Sequence, residues 1–299
     1  MLPLMPWAVG RLRVPPCNLL VSTSSALIKG VTVPRGMPHL CYCHSPARYL
    51  WEQGGEYRTG RGGVLRGLGL AAAGPLLRRW DRRTAAGVTT FLANSTHTAA
   101  RIQRCFGRSA TVIHPPVETD HFTPDASVPR EDFLLVVSAL EPYKRIDLVI
   151  AAANRHRWKV VIAGTGSQEE SLRRQAGPTV TMAGFVDDDD LLQLYRRAKA
   201  LLFPQCEDFG IVAAEAQACG CPLIARKAGG AIDIIVEGTG IFFEEPTVEA
   251  VAGAVARFDL EGCDAEACVS NAQRFSVARF DEQMAREIMA LLGGSVSSS

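Results

Sequence analysis

The second half of the chain alternates regularly. Short, near-continuous apolar runs recur at Phe133–Leu140, Lys159–Ala163, Thr179–Ala183, Ala200–Pro204, Pro222–Ala225 and Ile241–Phe243. Helical spacing fills the gaps at Ile146–Asn154, Ser167–Gln175, Asp188–Ala198, Gly210–Cys219 and Ala231–Val236. Strands alternating with helices predict βα units and a parallel sheet. Strands apolar throughout predict a sheet covered on both faces. The first half repeats the theme less completely. Asn18–Ser22, His39–Cys43, Thr89–Ala93 and Ala110–His114 read as strands, and Thr96–Phe106 as a helix. Gly63–Ala86 reads as a helical stretch broken at Gly74-Pro75. An α/β domain is expected to open on a strand, a glycine-rich turn and a helix. Here the first strand begins near residue 18, after a Pro-rich stub, so the first domain reads as short. The Pro-rich and polar stretch His114–Arg130 supplies an interdomain linker, and the tail Gly293–Ser299 is expected to be disordered.

Composition sharpens this picture. A chain of 299 residues carries a prior of two domains. With 47% hydrophobic and 21% charged residues, it is globular rather than fibrous or disordered. The net charge of +1 hides a split, with residues 1–130 at +10 and residues 131–299 at −9. The nine cysteines are odd in number and show no framework spacing. Cys41, Cys43 and His44 resemble half a zinc site, but no further ligands stand at suitable spacing, so a buried strand is the preferred reading. Reduced thiols point to the cytoplasm. No run reaches 18 apolar residues, and the start lacks the pattern of a signal peptide. A nucleic-acid partner is not expected.

Ligands bind at the carboxyl ends of strands in parallel α/β sheets. In the second half those loops are 141–145 (EPYKR), 164–166 (GTG), 184–187 (GFVD), 205–210 (QCEDFG) and 226–230 (RKAGG). Four contain glycine, two contain paired basic residues, and each leads into a helix N-terminus that favours an anion. Singly these are weak. Gly164-x-Gly166 is by default a tight turn, Lys144-Arg145 a solvated pair, and Asp187–Asp190 a helix start. Glu215 is stronger. Val212, Ile211, Ala218 and Cys219 surround it at helical spacing, and none is an ionic partner. A carboxylate alone on an apolar helix needs a polar group from elsewhere, and a pair of sugar or ribose hydroxyls would serve.

With Glu207 eight positions earlier, CEDFGI…E resembles the E-x7-E signature of retaining GT-B glycosyltransferases of family 4. The surrounding segments SALEPYKRIDL, VIAGTG, MAGFV, LLQLYRRA and EAQACGCPLIA agree. In the first half, YCHSPARYLW and ANS resemble the GDP-mannose-type mannosyltransferases of that family. The resemblance implies an α/β GT-B fold of two Rossmann-like domains facing a cleft. Residues 1–116 would form a truncated acceptor-side domain, 117–130 the linker and 131–275 the donor-binding domain. Residues 276–292 would be a helix crossing back to the first domain, and 293–299 the tail. It also implies transfer of a hexose, mannose from GDP-mannose, to a glycan or lipid-linked acceptor with retention.

Carried over residue by residue, the resemblance makes His44, Glu207 and Lys144 catalytic. Lys144 would hold the donor diphosphate with Arg145 beside it, and Glu207 would meet the transferred sugar. Backbone N–H groups of Asp208, Phe209, Gly210 and Ile211 would cradle sugar hydroxyls or phosphate. Glu215 would meet the ribose and Val186 the base. No metal is expected, so lysine, arginine and a helix N-terminus would stabilise the leaving diphosphate. Two departures stand out: Ala139 occupies a position where many relatives have Arg, and the family's opening strand and glycine-rich loop do not precede residue 18. The expected consequence is a chain that binds nucleotide but transfers poorly. The alternative is a non-catalytic nucleotide-sugar-binding fragment, and a sugar-nucleotide epimerase is a third reading. Finally, Arg58, Arg61, Arg66, Arg78, Arg79, Arg82 and Arg83 cluster around Val64–Leu77. They form either a solvated helix face or a surface for peripheral docking on anionic lipid at the inner membrane face.

Overall fold

A computed structural model describes residues 5–51 and 63–293, with the backbone alone over 63–72. The described residues form two compact units, 5–114 with 281–293, and 115–280. The first unit opens on a short helix α1 (Met5–Gly10) within the stretch read as a stub. Its strands are β1 (Leu20–Ser24), β2 (His39–Cys43), β3 (Thr90–Ala93) and β4 (Thr111–Val112), parallel and in sequential order. Between them lie α2 (Arg48–Trp51), α3 (Gly63–Ala85) and α4 (Thr96–Phe106). The expected break at Gly74-Pro75 does not occur, because α3 runs through Pro75. Proline removes one i→i−4 bond, yet Leu77, Asp81 and Ala85 anchor the following turns in the core. Ser95 starts α4 by accepting from the Thr98 N–H at 3.0 Å, and Gly107 ends it in the left-handed region. Asp81 is fully buried, paired with the Lys29 ammonium and with Trp51 Nε1 at 2.9 Å.

The second unit carries β5 (Leu134–Val137), α5 (Ile146–His156), β6 (Val160–Ala163), α6 (Glu169–Gln175), β7 (Val180–Gly184), α7 (Asp188–Arg197) and β8 (Ala200–Phe203). It continues with α8 (Ile211–Ala218), β9 (Leu223–Arg226), α9 (Ala231–Ile234), β10 (Gly240–Phe243), α10 (Val248–Glu261) and α11 (Ala265–Ala272). Helix α12 (Val277–Gly293) begins here, and its residues from 281 onward group with the first unit. Six parallel strands lie in the order β10-β9-β8-β5-β6-β7. Each face has its own core. Leu135, Leu201, Phe203 and Leu223 pack on one side with α7 and α8, and Leu134, Val136, Ile162 and Ile224 pack on the other with α5 and α10. The expected β-run Phe133–Leu140 is ladder-bonded over only four residues, since the chain then turns into the loop that matters below. Residues 117–130 contain no helix or named strand, and Val117 and Phe122 are buried in the second unit's core. Positions 294–299 of the expected tail lie outside the described residues.

Candidate functional site

The strand order of the second sheet fixes where a ligand can enter. From β5 the chain winds outward through β6 and β7; then it returns to β8, on the opposite side of β5, and winds outward through β9 and β10. The β5/β8 boundary is therefore the topological switch point, where the loops leave in opposite directions and open a crevice at the carboxyl edge. The loop after β5 contains a 3₁₀ turn, Pro142–Lys144. The loop after β8 contains Glu207. The structure brings the two candidates together: Lys144 Nζ contacts Glu207 Oε1, with side chains 12% and 19% exposed.

The Glu207 loop is shaped mostly by backbone contacts. Gly230 N–H donates to the Glu207 carbonyl at 2.9 Å. A Cβ at Gly229 would stand 2.1 Å from the Glu207 carbonyl oxygen, and one at Gly230 would stand 2.2 Å from that of Phe209. Gly210 has φ +102°, a conformation that side chains rarely tolerate, and caps α8. Phe209 is buried edge-on to Phe275, whereas Ile211 is exposed. The stretch Asp208–Ile211 thus leads directly into the N-terminus of α8, where the helix dipole favours negative charge. Two residues before Glu207, Gln205 is buried and its Oε1 has no hydrogen-bond partner.

Glu215 lies on the second turn of α8 and is half-buried. Its polar partner comes from a different helix. Tyr195 of α7 is fully buried and donates its hydroxyl to Glu215 Oε2 at 3.0 Å. Burial pushes the Glu215 carboxyl above its ordinary range, and the Tyr195 hydrogen bond partly opposes that. Burial, followed by the Glu215 charge, pushes the phenol well above its ordinary value, so it remains a donor. Glu215 is therefore not a carboxylate awaiting a first partner. The neighbours of Glu215 at i±3 and i±4 carry no sign of a tyrosine twenty residues away.

The other candidates are placed as follows. Arg145 has a left-handed φ of 58° and turns its guanidinium to Asp147 at 3.2 Å. Val186 is half-buried beyond β7, beside an exposed Phe185. His44 is exposed and follows β2 in the first unit, with its N–H donating to the Ser24 carbonyl at 2.8 Å and its ring edge-on to Tyr42. Cys41 and Cys43 are buried in the first unit's core, as the strand reading expects. Gly164 and Gly166 serve more than a turn. Cβ atoms there would stand 1.9 Å from the Ser138 carbonyl oxygen and 2.6 Å from Leu140, so they let the loops after β5 and β6 interlock. Asp187 caps α7 by accepting from the Asp190 N–H at 2.9 Å, the plain helix start that the sequence suggested. Arg78, Arg79, Arg82 and Arg83 of α3 are exposed and line a groove with Trp51 and Pro75. Arg58 and Arg61 lie outside the described residues, as does the side chain of Arg66. Among the described residues, no three His, Cys, Asp or Glu side chains gather as a metal site, and no helix is long and apolar enough to cross a membrane.

Comparison with known proteins bears on this arrangement. The family model "Glycosyl transferases group 1" matches residues 118–275. An uncharacterised glycosyltransferase of Methanocaldococcus jannaschii is 36% identical over 155 residues, covering 48% of this chain and 40% of that protein. The GDP-mannose-dependent alpha-(1-6)-phosphatidylinositol monomannoside mannosyltransferase of Mycobacterium tuberculosis is 30% identical over 213 residues, covering 61% of this chain and 55% of that protein. The chain thus spans about half the length of the curated relatives it matches. In structure it is similar to sucrose-phosphate synthase from Thermosynechococcus elongatus, with TM-score 0.73 and 19% identity over 93% of this chain and 74% of that one. It is also similar to Anabaena HepE in complex with UDP and glucose, with TM-score 0.64 and 18% identity over 91% of this chain and 99% of that one. These two likenesses show the GT-B fold.

Proposed function

The chain belongs to the group 1 glycosyl transferases, and from that premise we propose that it transfers mannose from GDP-mannose to a glycan or lipid-linked acceptor with retention of configuration. The observation that carries this reading is the meeting of Lys144 and Glu207 at the switch point, beside the N-terminus of α8. Glycosyl transfer develops negative charge on the leaving diphosphate and positive charge at the anomeric carbon. Lys144 and the helix N-terminus answer the first, without a metal ion. Glu207 receives the sugar, with backbone N–H groups of Asp208–Ile211 around it, and Gln205 Oε1 offers a further acceptor for a sugar hydroxyl. Glu215 receives the ribose and Val186 borders the base. Arg145, engaged with Asp147, is a secondary phosphate contact. His44 is the first unit's catalytic contribution. GDP and mannose are supported by the mycobacterial relative, which is named as a GDP-mannose-dependent mannosyltransferase.

The acceptor side is served by the basic face of α3. Arg78, Arg79, Arg82 and Arg83 beside Trp51 suit peripheral docking on anionic lipid at the inner, cytoplasmic membrane face. Co-sedimentation with vesicles should show a salt-sensitive preference for anionic over neutral lipid, weakened when Arg79 and Arg83 become glutamate. Equal binding to both vesicle types removes this part of the proposal. Transfer itself is tested with radiolabelled GDP-mannose and UDP-glucose against glycan and lipid-linked acceptors. Labelled product from GDP-mannose, lost in His44→Ala and Glu207→Gln, is expected. Product from UDP-glucose alone refutes the assigned donor.

A further inference from the structure

Two ionisable side chains in this unit, Tyr195 and Glu215, stand on largely apolar helix faces. Tyr195 projects from the buried face of α7 together with Leu191 and Leu192. Glu215 projects from α8, whose other residues are mostly buried and small. Each alone would be a cost to the fold, since a buried hydroxyl or carboxylate needs a partner. Together they satisfy one another through a single bond of 3.0 Å.

The geometry does more than satisfy two groups. The terminal torsion of a glutamate is broad and roughly two-fold, so a free carboxylate presents its oxygens in many orientations. Tyr195 is a rigid anchor: it is fully buried in the core, its ring is edge-on to Phe122 at 5.7 Å, and it has only two side-chain torsions. Its hydroxyl takes one acceptor position on Oε2 and leaves the rest of the carboxylate's acceptor capacity, Oε1 included. A vicinal diol needs a carboxylate whose plane is already set, because ordering it at binding reduces affinity.

We propose that Tyr195 is the positioning residue of the ribose subsite: its hydroxyl fixes the plane of the Glu215 carboxylate, so that the ribose hydroxyls of a nucleoside diphosphate meet it in one orientation. This rests on the reading that Glu215 receives the ribose. Tyr195 touches no ligand and acts through Glu215 alone, so its removal affects only that part of the nucleotide which Glu215 meets.

The test is calorimetry on the full chain with two probes, GDP and 2′,3′-dideoxy-GDP, which differ only in the ribose hydroxyls. The unaltered chain is expected to prefer GDP by about 10-fold or more, the scale of hydrogen bonds to a charged group. Glu215→Gln should erase most of that preference. Tyr195→Phe, which deletes one oxygen, should cut it by roughly 3- to 10-fold while leaving the dideoxy Kd within about twofold. Should Tyr195→Phe fail to fold, 3-fluorotyrosine at position 195 keeps the ring and strengthens the phenol as a donor. The preference should then be at least as large as in the unaltered chain, and a smaller one overturns the proposal. If Tyr195→Phe weakens both probes equally, or leaves the GDP preference intact while Glu215→Gln removes it, the positioning role is wrong and the ribose reading stands. If the unaltered chain binds both probes equally, the ribose reading fails, and the positioning role with it.

Discussion

Replacing Lys144 with alanine tests the centre of the proposed donor site, and the structure sets the size of the effect. The ammonium lies against Glu207, and both side chains are largely shielded, at 12% and 19% exposure. A diphosphate arriving here draws Lys144 from the carboxylate or bridges to it. Loss of a charge-assisted hydrogen bond of ~1.5–3 kcal/mol weakens GDP binding by about 10- to 150-fold. A second penalty follows, because the carboxylate left behind repels the phosphates. At a separation of ~6 Å and an effective dielectric of about 20, that repulsion is worth ~3 kcal/mol before relaxation and water entry reduce it. Glu207→Gln in the same background removes the repulsion. The double variant should therefore bind GDP at least about fivefold more tightly than Lys144→Ala alone, an interaction energy characteristic of groups in contact. Glu207→Gln alone should bind GDP as well as the unaltered chain or better, since it frees the lysine, yet fail in transfer. Isothermal titration calorimetry with GDP reads all four proteins. The reasoning is refuted if Lys144→Ala leaves the Kd within twofold, or if the double variant is no tighter than the single one.

Three further outcomes follow from the packing and the titrating groups. Gly230→Ala drives a Cβ to within 2.2 Å of the Phe209 carbonyl oxygen; overpacking of ~1–3 kcal/mol should lower the melting temperature by about 3–10 °C and weaken GDP binding, as differential scanning calorimetry and titration would show. Lys29→Met leaves the buried Asp81 carboxylate with Trp51 as its remaining side-chain donor. The cost of ~3–5 kcal/mol should appear in urea melts, and a change below ~1 kcal/mol would mean the pair is not buried as described. Glu215 is held above its ordinary carboxyl value of 4.5 in the folded chain, so its protonated form favours folding. That contribution is complete below the unfolded pKa and is lost as pH rises through the folded one. Glu215→Gln should accordingly raise the melting temperature at pH 8 and lose that advantage below about pH 4, while binding nucleotide more weakly at pH 8.

The sequence carried much of the second unit because its strands are apolar on both faces and each ends at a glycine or a charged loop. That is enough to locate Lys144 and Glu207 at one sheet edge, but not to show that they touch, since contact depends on β5 and β8 being neighbours. The pairing of Tyr195 with Glu215 was illegible for a related reason. Helical periodicity describes one helix at a time, and the solution to a lone carboxylate on α8 was a lone phenol on α7. Two further helices, α10 and α11, lie beyond the strand–helix alternation that the apolar runs mark, and their sequence signals are the N-caps Thr247 and Asp264, each accepting from a backbone N–H in the first turn. Pro75 misled in the opposite direction: a local breaker was overridden by burial of the residues that follow it. In the first unit the strand β1 starts two residues later than its apolar run, because pairing with His39–Cys43, not hydrophobicity, sets its limits.

The seat of Gly229 and Gly230 against the Glu207–Phe209 backbone has a consequence for how such a site can diversify. The atoms nearest a new side chain at either position are main chain and cannot be pushed aside, so a saturation library at 229 and 230 should return glycine. On the rim the reverse holds: Phe185, Ile211 and Ile232 are exposed at 80%, 45% and 49%, and their exchange disturbs little packing. Variation is thereby channelled outward. Selection for a different sugar or base acts on side chains around a mould of main chain that stays constant, and a designer seeking a new donor would randomise the rim and leave the two glycines alone.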